Sequence, residues 1–138
     1  EGLRGWGPRR AALFDSDYFQ TANGEILVIV QIETRQAVSN VDDILAVDGI
    51  DAVYVGPFDL SLDFGLSGPD FNNAAYAAAF DRVVEAAKKA GKPAGMFATR
   101  ENIRWAVDMG FTISTVDSAD AFLAYGARTA LDMARDKK

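Results

Sequence analysis

The 138-residue chain contains no cysteine and no histidine. The first absence excludes disulfides and thiol chemistry, and it fits a cytoplasmic protein. The second absence removes the imidazole as general base, nucleophile or metal ligand. Any metal site must therefore use oxygen donors, which favours magnesium, manganese or calcium over zinc. No apolar run approaches the ~20 residues of a membrane span. No basic-apolar leader opens the chain, so secretion is not expected. Acidic residues outnumber basic ones 20 to 14, for a net charge of −6. An acidic chain without a basic patch is a poor nucleic-acid binder.

What remains is ordinary for a globular protein: 49% apolar and 25% charged residues, in a length that allows one domain with a real core. Residues 1–10 combine three glycines, a proline and three arginines and read as a loop. A short helix is expected over Asp17–Ala22, stopped by Asn23-Gly24. From there β-branched runs alternate with helical periodicity. Strands are predicted at 26–32, 52–55, 94–98 and 111–116. Thr34 is placed to cap a helix whose apolar positions are Val38, Val41 and Leu45, with Gly49 ending it. The helix Asn73–Ala90 carries Phe80, Val83, Val84 and Ala87 on one face and is stopped by Gly91. Thr99 opens a helix through Met109, and a last helix runs to about Asp136 with Leu123, Ala127, Ala130, Leu131 and Ala134 as its apolar face. The segment after strand two, with Gly56, Pro57, Gly65, Gly68 and Pro69, reads as a long loop of the kind that is usually functional. Four βα units imply a parallel α/β sheet.

Two acids stand at the tails of the first two strands, Glu33 in Gln31-Ile32-Glu33-Thr34 and Asp59 in Gly56-Pro57-Phe58-Asp59-Leu60-Ser61. Ligands of parallel α/β folds bind at that end. Adjacent parallel strands lie about 4.8 Å apart, so two such carboxylates can share one hard divalent cation. The same pair also reads as a helix-capping acid and a turn acid. A phosphate site of the barrel type is not expected, because no glycine lies between Phe111 and Tyr125 and Asp117 and Asp120 would repel an anion.

These two strings, in this order and at this spacing, resemble the HpcH/HpaI aldolases. Those are metal-dependent class II pyruvate aldolases acting on 2-keto-3-deoxy sugar acids and 4-hydroxy-2-oxo acids. The resemblance covers nearly the whole chain, from Arg4-Gly5-Trp6-Gly7-Pro8 onward. It implies the C-terminal half of a TIM (β/α)8 barrel: one half-barrel domain over 1–138, with a loop and short helix in 1–24 and four βα units in 25–138. It implies Glu33 and Asp59 as ligands to Mg2+ or Mn2+ holding pyruvate or its enolate. Gln31, two residues before Glu33, faces the same way. With Gly56, Pro57, Phe58 and Phe97 it would bind substrate, the Phe58 and Asp59 amides taking the carboxylate. Phe58, at a position commonly alanine in the family, would narrow the pocket.

The family's general-base histidine and enolate-stabilising arginine belong to the N-terminal half. No catalytic residue is therefore assigned in this chain. The expected activity is carbon–carbon cleavage or formation between pyruvate and an aldehyde, incomplete in this chain alone. The alternative is a non-catalytic, oligomerising half-barrel that binds a cation and a 2-keto acid. The expected partners are a 2-keto acid such as pyruvate and either a second copy of the chain or the N-terminal half.

Overall fold

The β-branched runs form four parallel strands: β1 (Ile29–Ile32), β2 (Ala52–Val55), β3 (Ala94–Ala98) and β4 (Ile113–Val116). They lie side by side in sequence order, so each βα unit packs next to the one before it. The computed structural model describes Arg10 and residues 13–135. The expected loop over 1–10 lies outside the described residues except for Arg10, as does the expected helix end near Asp136. A short helix α1 (Tyr18–Thr21) and a 3-10 turn (Ala22–Gly24) precede the sheet. Among the described residues no helix is long and apolar enough to cross a membrane.

One face of the sheet is covered. Ile32, Val53, Val55, Met96 and Ala98 point into a core shared with Val41 and Leu45 of α3 (Val41–Ala46) and with Phe80, Val83 and Val84 of α5 (Ala74–Ala90). Asn73 caps α5 by accepting a bond from the Tyr76 N–H at 3.1 Å, and Gly91, at φ +67°, ends it in the left-handed conformation. Phe71, Tyr76, Phe80 and Trp105 extend this core as a chain of ring contacts 4.5–5.5 Å apart toward α6 (Ile103–Met109).

Several boundaries differ from the sequence reading. β1 starts at Ile29, not Ile26, because β2 offers no ladder partner before Ala52. The Val28 N–H goes instead to the Asp51 carboxylate at 2.7 Å, and Ile26 and Leu27 are exposed. The helix after Thr34 is two helices, α2 (Arg35–Ser39) and α3, broken at Asn40, whose carbonyl starts the second by accepting from Ile44 N–H. Val38, Val41 and Leu45 are buried all the same. Thr34 Oγ1 caps α2 through the Ala37 N–H at 3.0 Å.

The long loop after β2 contains a helix, α4 (Pro57–Asp63), with Gly56 as its N-cap and Pro57 at its first position. α6 starts at Ile103 because the Asn102 side chain accepts the Thr99 N–H, making a turn of the first residues. β4 begins two residues late because Phe111 is drawn into the core and its N–H closes the end of α6 on Ala106. The last helix, α7 (Ala119–Arg135), buries none of its described residues.

Candidate functional site

The parallel register fixes which side chains share the face that the described residues leave uncovered. Gln31 pairs with Tyr54, Tyr54 with Gly95, and Gly95 with Ile113. Side chains two residues apart on a strand share a face. The next row toward the carboxyl ends is therefore Glu33, Gly56, Phe97 and Thr115, of which Phe97 and Thr115 are paired. A cleft of about 580 Å³ opens over these rows.

All seven residues singled out in the sequence line that cleft: Gln31, Glu33, Gly56, Pro57, Phe58, Asp59 and Phe97. Glu33 is half-buried, and its Oε1 accepts a hydrogen bond of 2.9 Å from Gln31 Nε2. Gly56 makes room for this carboxylate. A Cβ on Gly56 would lie 2.6 Å from Glu33 Oε1 and 2.9 Å from its Cγ, closer than atoms can pack. Asp59 is exposed in the first turn of α4, not on a loop at a strand end. There its carboxylate meets the positive end of the helix, and the Phe58 and Asp59 amides have no acceptor within the helix.

Two contacts hold α4 in place. Tyr76 is buried and donates its hydroxyl to the Pro57 carbonyl at 2.6 Å; burial raises the pKa of this phenol well above its ordinary value. At the other end, Asp63 accepts from the Arg35 backbone N–H at 2.8 Å and from its guanidinium at 3.2 Å. These bonds, the backbone one first, hold the Asp63 carboxyl below its ordinary value. The segment after Glu33 is thus tied to the helix that carries Asp59. Phe58 and Phe97, 55% and 42% exposed, present apolar surface to the cleft.

The cleft also includes residues not named as site residues from the sequence: Tyr54, Pro69, Phe71, Thr99, Asn102 and Thr115. Tyr54 and Thr115 lie on strands that the sequence does predict, but only the register shows that their side chains face one space. Among the described residues no three Asp, Glu, His or Cys side chains converge. The acidic donor set is Glu33 and Asp59. Carboxylate oxygens are the donor type that hard cations take.

Sequential parallel strands, each followed by helix, with polar groups gathered at the carboxyl ends, define half of a TIM-barrel-type α/β fold. The chain belongs to the HpcH/HpaI aldolase/citrate lyase family, whose sequence model matches residues 1–122. It is 39% identical to a hydroxypyruvate/pyruvate aldolase of Rhizorhabdus wittichii, over 97% of this chain and 55% of that protein. It is also 39% identical to a 4-hydroxy-2-oxo-heptane-1,7-dioate aldolase of Salmonella arizonae, over 91% of this chain and 49% of that protein. Among solved structures, an HpcH/HpaI aldolase/citrate lyase family protein from Burkholderia cenocepacia superimposes with a TM-score of 0.84 at 37% identity. That match covers 97% of this chain and 53% of the other. The chain spans about half the length of the curated relatives it matches.

Proposed function

We propose that this chain is the cation-binding half of a class II aldolase. The whole enzyme would cleave or form a carbon–carbon bond between a 2-keto acid such as pyruvate and an aldehyde. The observation that carries this reading is that Glu33 and Asp59, from neighbouring βα units, line one cleft in a chain of this family. They would hold Mg2+ or Mn2+, and such an ion supplies Lewis-acid stabilisation of the charge that develops on a 2-keto oxygen.

The remaining work falls to the chain's own side chains. Gln31 orients Glu33 through its 2.9 Å bond. The first-turn amides of α4 offer donors to a substrate carboxylate, and Phe58 and Phe97 limit the water around it. The general base and the enolate-stabilising arginine implied by the resemblance lie in the other half of the barrel, and no histidine here replaces that base. General acid–base catalysis contributes ~10²–10⁴-fold. Retro-aldol cleavage by the chain alone is therefore expected at or near background. Metal-dependent turnover within about tenfold of a full-length relative would contradict the assignment.

A second reading is favoured by α7, whose Leu123 and Met133 are 75% and 69% exposed. Here the chain is a non-catalytic, cytoplasmic half-barrel that pairs with another copy and binds a divalent cation and a 2-keto acid. Both readings require a partner over the uncovered sheet face. Light scattering separates them: the first expects assembly with a complementary half, the second a stable even-numbered assembly of this chain by itself.

A further inference from the structure

The helix that carries Asp59 rests on a side chain that does not itself line the cleft. Tyr76, near the start of α5, is fully buried. Its hydroxyl donates to the Pro57 carbonyl at 2.6 Å, its one hydrogen-bond acceptor among the described residues. Its ring meets that of Phe64, the residue that closes α4, edge-on with centroids 5.8 Å apart. Phe71, which lines the cleft, and Phe80 pack against the same ring at 5.7 Å and 5.0 Å. Tyr76 therefore touches both ends of α4. Its own backbone is fixed by the bond from its N–H to the Asn73 side chain.

A buried hydroxyl costs free energy unless it is bonded, and a phenylalanine would fill this space with no partner to find. The oxygen thereby ties the placement of α4 to the core, because it is satisfied only with the Pro57 carbonyl in reach. Ser61, also buried, donates to the Phe58 carbonyl at 2.6 Å. The first two carbonyls of α4 are thus both held by hydroxyls. Asp59 follows directly, in the same turn, and lines the cleft.

We propose, on the cation reading above, that Tyr76 is a positioning residue of the cation site: its hydroxyl, acting through the Pro57 carbonyl, sets where Asp59 stands relative to Glu33. Glu33 has its own support in the bond from Gln31. Removal of the Tyr76 oxygen loosens one acid and leaves the other in place. A site that needs both carboxylates binds its ion more weakly when one of them is free to move.

The test compares Tyr76→Phe, which keeps every ring contact and loses only the oxygen, with Val83→Ala, which empties part of the same core further along α5. Mn2+ affinity of the full chain is read from the electron paramagnetic resonance signal of the free ion. Hydrogen exchange of the Leu60 amide, bonded to the Gly56 carbonyl at 3.0 Å, reports opening of α4. Tyr76→Phe is expected to bind Mn2+ about tenfold more weakly, the low end for partners behind a metal ligand, and to exchange the Leu60 amide faster. Val83→Ala lowers the urea midpoint and leaves the affinity at the parental value. Equal weakening in both variants makes the effect one of general stability and overturns the proposal. Parental affinity in Tyr76→Phe, or unchanged exchange at Leu60, overturns it too and leaves the cation reading standing. A parent that binds no Mn2+ removes the cation reading first, and this proposal with it.

Discussion

Helices α5 and α7 are each 17 residues long, and each carries an apolar stripe beside a charged face. Their fates are opposite. α5 buries seven residues, among them Tyr76 and Phe80, against β2, β3 and the neighbouring helices α3 and α6. α7 buries none, and Phe122, Leu123, Tyr125, Leu131 and Met133 remain exposed. The periodicity of a helix tells which side wants to be covered. It does not tell whether anything covers it. In a chain half as long as its relatives, α5 finds its cover within the four βα units, whereas α7 and the inner face of the sheet do not.

The largest effect should come from breaking that contrast. Phe80→Ala is expected to cost about 3–5 kcal/mol, the range for emptying a buried aromatic site. Leu123→Ala, on the exposed stripe, is expected to fall within about 0.5 kcal/mol in the isolated chain. Urea unfolding of both variants checks this. Equal costs would mean that α7 is packed in solution, by a partner or by the chain itself.

A smaller effect is expected at the boundary between covered and uncovered faces. Gly95→Ala adds a Cβ where the Tyr54 ring and the Ile113 backbone oxygen already stand, the latter 3.1 Å away. Overpacking of this kind costs about 1–3 kcal/mol. Because β3 is paired with strands on both sides, the loss should appear as a lower unfolding midpoint with unchanged slope. If Tyr54 swings freely into the open cleft, stability stays at the parental value and the ring is not fixed over Gly95.

The smallest predicted effect is pH-dependent. The Asp63 carboxyl is held below its ordinary value of 3.8 by Arg35. A depressed folded-state value means that the unfolded chain takes up the proton first as pH falls. The contribution of Asp63 is therefore present at neutral pH and lost as pH falls through its folded-state value. Parent and Asp63→Asn should differ in thermal midpoint at about pH 7, and the gap should narrow as pH falls below 3.8. A gap independent of pH would assign the effect to packing instead of charge.

How much of this was legible in the sequence depended on whether the signal was local. Strand β3, the cap Thr34 and the helix stop Gly91 are legible because their cues lie within a few residues of the elements they bound. The string Gly56-Pro57 reads as loop, although proline at a first helical position is also a helix start. The apolar residues Ile26 and Leu27 looked like strand, but a strand exists only where a neighbour offers partners, and β2 begins too late. Glu33 and Asp59 stood out through their family-like strings. Tyr54 and Thr115 did not, because their meeting depends on a register across β3 that no local pattern encodes.

The central claim is that Glu33 and Asp59 form one cation site, and calorimetric titration of Mn2+ tests it most directly. The account predicts weak, saturable binding to the parent chain, since only two protein carboxylates contribute, and loss of that binding in both Glu33→Gln and Asp59→Asn. Variants that bind manganese as the parent does would contradict it.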